Sequence, residues 1–281
     1  MKHIYKIVFE NEIGVLLKTD EYDYNCVGIC FVHHTSFEKY ASFYKEEKVA
    51  KLKVRSLEDI YELIYRNVNK NTFGLKIKPE YIYVPKRENN NTIEEHASNL
   101  IECLKNDNVR EIKLISISYG GLIAALASKY DIVTVVALFQ SPLWGTPLAD
   151  ISLWGTMNKR ARKYILKRYK KSTYLDDLLI GLKDRFDKVN LKKIIFIYGY
   201  STHVKGVISL HNRKYWVPEI KRLTNMDNDA VVPFPSKEVI NKIGFGKVIY
   251  FKNLYHVNTL SKKYHLVMLK EVKHWRTNGK I

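Results

Sequence analysis

Apolar positions along this chain fall into two rhythms, short runs of β-forming residues and longer stretches at helical spacing, and the two alternate for most of its length. Residues 4–9 and 14–18 are β-rich runs around the polar Glu10-Asn11-Glu12, which predicts an opening hairpin. Residues 26–32 are almost continuously apolar and stop at His33-His34-Thr35-Ser36, as expected of a strand covered on both faces in a parallel sheet. Residues 37–67 are helical in pattern but broken, with Leu57, Ile60, Tyr61 and Ile64 on one face of the second half. Residues 81–84 predict a short strand stopped by Pro85. Thr92-Ile93-Glu94-Glu95 has capping-box spacing, and Ile93, Ala97, Leu100, Ile101 and Leu104 mark the buried face of a helix ending near Asn106.

The alternation continues with an apolar strand at 111–118, a small-residue helix at 122–129 and another apolar strand at 132–139. Strand runs recur at 193–198 and 247–251, separated by a long polar loop to about Pro235 and a short helix at 237–243, and an amphipathic helix at 258–275 closes the pattern. Strands alternating with helices require a parallel sheet with crossover helices, an α/β architecture. Residues 146–190 change character, with no buried-strand run, and predict a helical cap inserted between core segments 1–145 and 191–281. A chain of 281 residues with 46% hydrophobic residues can bury one large core.

Candidate chemistry sharpens this picture at Ser116-Ile117-Ser118-Tyr119-Gly120-Gly121, between a predicted strand and a predicted helix. A serine attacks well when its Oγ projects from a sharp turn at a strand end, beside a base and with backbone N–H groups ready for an oxyanion. Such a turn needs small residues two before and two after the nucleophile, here Ser116 and Gly120. The helix that follows adds its N-terminal dipole, which favours developing negative charge.

This segment resembles the nucleophile turn of the α/β-hydrolase superfamily, lipase and esterase branches, with serine at 116 where glycine is usual. The resemblance covers the order of elements over nearly the whole chain. It implies an α/β-hydrolase fold: a mostly parallel central sheet, helices on both faces and an inserted helical cap. It also implies a triad in the order Ser, acid, His. Asn228-Asp229-Ala230-Val231-Val232-Pro233 follows the strand at 193–198 and is similar to the family's acid loop without its flanking glycines. Asp229 is the matching acid and Asp227 the nearby alternative. His256 follows the strand at 247–251, where the family carries its general base. The oxyanion hole would take one N–H from Tyr119 and the other from Thr35, with His34 standing where the family has glycine and a candidate for supporting the oxyanion itself. For His33 a structural, loop-holding role is expected. Ser141-Pro142-Leu143-Trp144-Gly145-Thr146-Pro147 resembles the turn that leads from sheet to cap in many lipases.

Charge bears on partners. The formal net charge is +18, and eight Lys and Arg residues fall within 159–171 beside Leu153, Trp154, Met157, Ala161, Tyr164 and Ile165. That pattern fits a cap helix whose apolar face covers the site while its charges are solvated, and also a basic amphipathic helix on an anionic membrane. Nucleic acid is favoured by charge alone, since no recognition motif accompanies it. Cys26, Cys30 and Cys103 form no C-x-x-C pair, which argues against zinc or a disulfide framework. Cys26 and Cys30 share one predicted strand and would face one side about 13 Å apart, beyond disulfide reach. No signal-peptide pattern opens the chain and no run of about 18 apolar residues occurs, so a cytoplasmic or peripheral-membrane location is expected.

The expectation is therefore a serine ester hydrolase of lipase, phospholipase or carboxylesterase type, acting on a lipid-like acyl ester with no metal or organic cofactor. Acyl transfer and thioester hydrolysis would use the same residues. A non-catalytic member of the fold acting as a binding module is the alternative, suggested by the departures at Ser116, His34 and the acid loop.

Overall fold

The computed structural model describes residues 5–22, 26–33, 77–86, 91–150, 152, 179, 181–182, 186–200, 213–229, 231–254, 256 and 262–275. The opening hairpin forms as expected from β1 (Lys6–Glu10) and β2 (Gly14–Lys18). It joins β3 (Ile29–Val32), β4 (Tyr81–Pro85), β5 (Ile112–Ile117), β6 (Val133–Phe139), β7 (Ile194–Tyr200) and β10 (Lys247–Lys252) in one sheet of order β1-β2-β4-β3-β5-β6-β7-β10. From β4 to β10 every neighbouring pair is parallel, and β2 pairs antiparallel with both β1 and β4. A second, two-stranded ladder joins β8 (Asp227–Asn228) to β9 (Pro233–Phe234).

Helices cover both faces because the central strands bury both sets of alternating side chains. On one face Cys30, Val32, Leu114, Val136, Leu138 and Phe196 pack with α1 (Ile93–Asn106) and α2 (Gly120–Ala127). On the other, Phe31, Ile115, Ile117, Val135, Phe139 and Ile197 meet Met268, Leu269 and Val272 of α5 (Lys262–Lys273). The predicted capping box is present at α1: Thr92 Oγ1 accepts from Glu95 N–H at 3.2 Å and Glu95 Oε2 accepts from Thr92 N–H at 2.7 Å. Between β9 and β10 lies the expected short helix, α4 (Lys237–Lys242).

Two expectations are corrected. The strand predicted at 26–32 begins only at Ile29, because Gly28 turns the chain with φ +63°, a conformation that a residue with a side chain rarely adopts. Cys26 therefore lies outside the strand and packs on the α5 face, while Cys30 packs on the α1–α2 face; the two do not share a side. All three cysteines are buried thiols. The predicted polar loop before Pro235 contains α3 (Arg213–Thr224). Charged residues and Pro218 hide its periodicity, and it is anchored by the buried Val217 and Ile220. Asn228 Nδ2 also donates to the Val217 carbonyl at 3.0 Å.

The broken helical stretch at 37–67 and most of the predicted cap, including basic residues 159–171, lie outside the described residues. The two flanks of the cap segment do meet. Leu182 N–H donates to the Leu143 carbonyl at 2.7 Å, and Gly181, at φ +62°, sits against the backbone of Pro142, Leu143 and Gly145. Among the described residues no helix is long and apolar enough to cross a membrane.

Candidate active site

The chain leaves β5 at Ile117 and enters α2 at Gly120 with two residues between, a turn too tight for ordinary backbone geometry. Ser118 takes it up with φ +54°, in the left-handed region that costs a side-chain-bearing residue about 1–2 kcal/mol. Surrounding contacts over-determine that conformation. Ser118 N–H donates to the Phe139 carbonyl of β6 at 3.0 Å, and Gly121 N–H donates to the Ser118 carbonyl at 3.0 Å. Gly120 allows the close approach: a Cβ there would stand 2.5 Å from the Val32 carbonyl oxygen and 2.7 Å from that of His33. Ser118 itself is half-buried.

Ser118 Oγ lies 3.0 Å from His256 Nε2, and His256 Nδ1 lies 2.7 Å from Asp229 Oδ2. Three residues from distant parts of the chain thus form one line at the C-terminal rim of the parallel sheet, each following a different strand. The His256 N–H also donates to the Asp229 carbonyl at 2.8 Å, so backbone and side chain hold the pair together. Asp229 is fully buried; its Oδ1 accepts from the N–H of Val231 at 2.9 Å and of Val232 at 2.7 Å. Such contacts compensate a buried carboxylate, and an imidazole that carries its proton on Nδ1 would donate it to Asp229. That tautomer leaves the Nε2 lone pair facing the Ser118 hydroxyl.

The β8–β9 ladder brackets this acid loop, with Asp227 opposite Phe234 and Asn228 opposite Pro233. Thr146 Oγ1 ties it to the cap flank by donating to the Val231 carbonyl at 2.6 Å. Asp227, the alternative acid, is instead paired with Lys221 at 2.8 Å, so it is Asp229 that meets the imidazole. Tyr119 is buried at the start of α2, directly after Ser118, as the sequence places it. His33 is buried, donates its N–H to the Tyr83 carbonyl at 2.8 Å and stands edge-on to Phe31, an arrangement that holds the end of β3. His34 and Thr35 lie outside the described residues.

Sequence reasoning missed Gln140. It is fully buried, has φ +50°, and clamps Gly199 of β7 through two bonds: Nε2 donates to the carbonyl at 2.9 Å and Oε1 accepts the N–H at 3.0 Å. Its signal was a lone polar residue ending an apolar strand. It locks the ends of β6 and β7 beside the turn of Ser118.

The solved structures similar to this chain agree with the topology. One is the mature form of the Bacillus licheniformis lipase BlEst2, with a TM-score of 0.52 and 16% identity over 90% of this chain and 94% of that one. Another is MGS-M2, an α/β hydrolase enzyme from a Medee basin deep-sea metagenome library, with a TM-score of 0.51 and 12% identity over 98% and 100% of the two chains. No protein-family model matches the sequence, and no curated protein matches it. The chain has the α/β-hydrolase fold.

Proposed function

We propose that the protein is a serine hydrolase acting on acyl esters through Ser118, His256 and Asp229. The hydrogen-bonded line from Ser118 Oγ through His256 to the buried Asp229 carboxylate carries this reading. His256 Nε2 takes the proton as Ser118 Oγ attacks the acyl carbonyl, and Asp229 stabilises the imidazolium that results. The oxyanion is received by the Tyr119 N–H and by a second donor from the loop after β3, for which Thr35 is the candidate and His34 a candidate support. The protonated imidazole then gives its proton to the departing alcohol. Water, activated by the same His256, releases the acyl group.

A lipid-like ester is the proposed substrate. The net charge of +18 would concentrate anionic lipid surfaces near the protein, and the basic stretch 159–171 is the proposed contact. One of the similar structures is named a lipase, which agrees with this choice.

A fluorophosphonate probe tests the reaction class. It labels the wild type and fails to label Ser118→Ala, which also loses ester hydrolysis by at least ~10⁴-fold. Equal labelling or equal turnover by the two proteins would refute the assignment of Ser118, and a wild type that is neither labelled nor active would leave a non-catalytic binding module. An ester panel varied in acyl length and headgroup then defines the substrate.

A further inference from the structure

Ser116 occupies the position where the resembled turn carries glycine, and it is fully buried. Its Oγ donates to the Val32 carbonyl at 2.7 Å. Val32 is the last residue of β3 and the register partner of Ser116 across the β3–β5 ladder. Two further groups converge on the same Val32–His33 peptide. Gly120 of α2 comes so close that a Cβ would stand 2.5 Å from the Val32 oxygen, 2.7 Å from the His33 oxygen and 2.7 Å from Ser116 Oγ. The Tyr83 carbonyl of β4 accepts the His33 N–H at 2.8 Å. The peptide that leaves β3 is thus gripped by the strands on either side and by the helix that carries the turn. A glycine at 116 would supply the space but no donor for the Val32 oxygen.

We propose that Ser116 is a positioning residue, whose hydroxyl fixes the Val32–His33 peptide against the Ser118 turn and so sets the spacing between the β3 exit and the Tyr119 N–H. The proposal rests on the hydrolase reading above. Charge grows on the substrate oxygen only as the tetrahedral state forms, so a displaced β3 exit weakens turnover more than substrate binding.

The test compares Ser116→Ala and Ser116→Gly with wild type on a chromogenic short-chain ester, p-nitrophenyl butyrate, with fluorophosphonate labelling rates in parallel. Both variants lower kcat and the labelling rate about tenfold, while KM stays within about twofold. Thr92→Ala, which removes the cap bond to the Glu95 N–H at the start of α1, serves as the control for lost stability and keeps kcat. Full kcat in either Ser116 variant overturns the proposal, as does an equal loss in Thr92→Ala. Should Ser116→Ala fail to fold, Ser116→Gly carries the comparison, since glycine is the residue of the resembled turn. The two ideas fail separately: an active Ser118→Ala, or an unlabelled and inactive wild type, sinks the hydrolase reading and this proposal with it, whereas a dead Ser118→Ala beside a fully active Ser116→Gly sinks this proposal alone.

Discussion

The turn that carries Ser118 and the loop that carries Asp229 each deliver one polar side chain to the rim of the sheet, and they are held by different means. Around Ser118 the constraint is steric and backbone-borne: a left-handed residue, a glycine pressed against the carbonyls of Val32 and His33, and ladder bonds to β6. Around Asp229 the constraint is the carboxylate itself, which gathers the N–H groups of Val231 and Val232 and the imidazole of His256. The Ser118 hydroxyl is therefore separable from its scaffold, whereas the Asp229 carboxylate is its own scaffold. Removing the first should change chemistry alone; removing the second should change chemistry and folding together.

The largest effect that tests this contrast comes from dividing the two roles of Asp229. Asp229→Asn keeps one oxygen for the N–H groups of Val231 and Val232 but turns an amide NH₂ toward His256 Nδ1. The ring then carries its proton on Nε2 and offers Ser118 no base, so kcat falls about 10³–10⁴-fold while the unfolding midpoint barely moves. Asp229→Ala loses the same activity and in addition strands two backbone donors, at about 1–3 kcal/mol of stability in denaturant titration. Equal stability of the Asn and Ala variants would show that the loop does not depend on its carboxylate.

Next in size is Gly120→Ala. The added Cβ meets two carbonyl oxygens of the β3 exit, which cannot swing aside as a side-chain end would. Overpacking of this kind costs about 1–3 kcal/mol in chemical unfolding. Ser118→Ala, two residues away, leaves the unfolding midpoint within error. A Gly120→Ala midpoint equal to wild type would mean the turn can relax, and the steric half of the comparison would be lost.

The same division explains what was legible in the sequence. Strands β5, β6 and β7 bury both faces and read as largely apolar runs, and α1 announces itself by its capping box; each is fixed by local pattern. The places of Ser118, Asp229 and His256 were visible because each follows a readable strand, although spacing along the chain cannot supply the 3.0 Å and 2.7 Å distances that join them. Helix α3 was not legible, since its anchoring residues are few and Pro218 interrupts the pattern. The strand start at Ile29 was not legible either: the apolar run is continuous through Cys26 and Val27, and only the positive φ of Gly28 ends it. Gln140 and the Ser116 hydroxyl are long-range partners of backbone groups, a relation that no periodicity encodes.

The smallest expected effect separates two buried serines that flank the Ser118 turn. Ser116 Oγ satisfies a carbonyl, whereas Ser141 Oγ, equally buried at the end of β6, has no hydrogen-bond partner among the described residues. It faces Gly121 of α2, where a Cβ would collide with that hydroxyl and lie 2.5 Å from Ser141 Cβ, so the two residues are packed by size. A desolvated hydroxyl without a partner opposes folding, and an alanine fits the same space. Ser141→Ala should therefore raise stability by about 0.5–1 kcal/mol in denaturant titration and leave kcat unchanged. A loss of stability instead would mean that the Ser141 hydroxyl is bonded after all, and that polar contacts hold the turn of Ser118 as firmly as they hold the loop of Asp229.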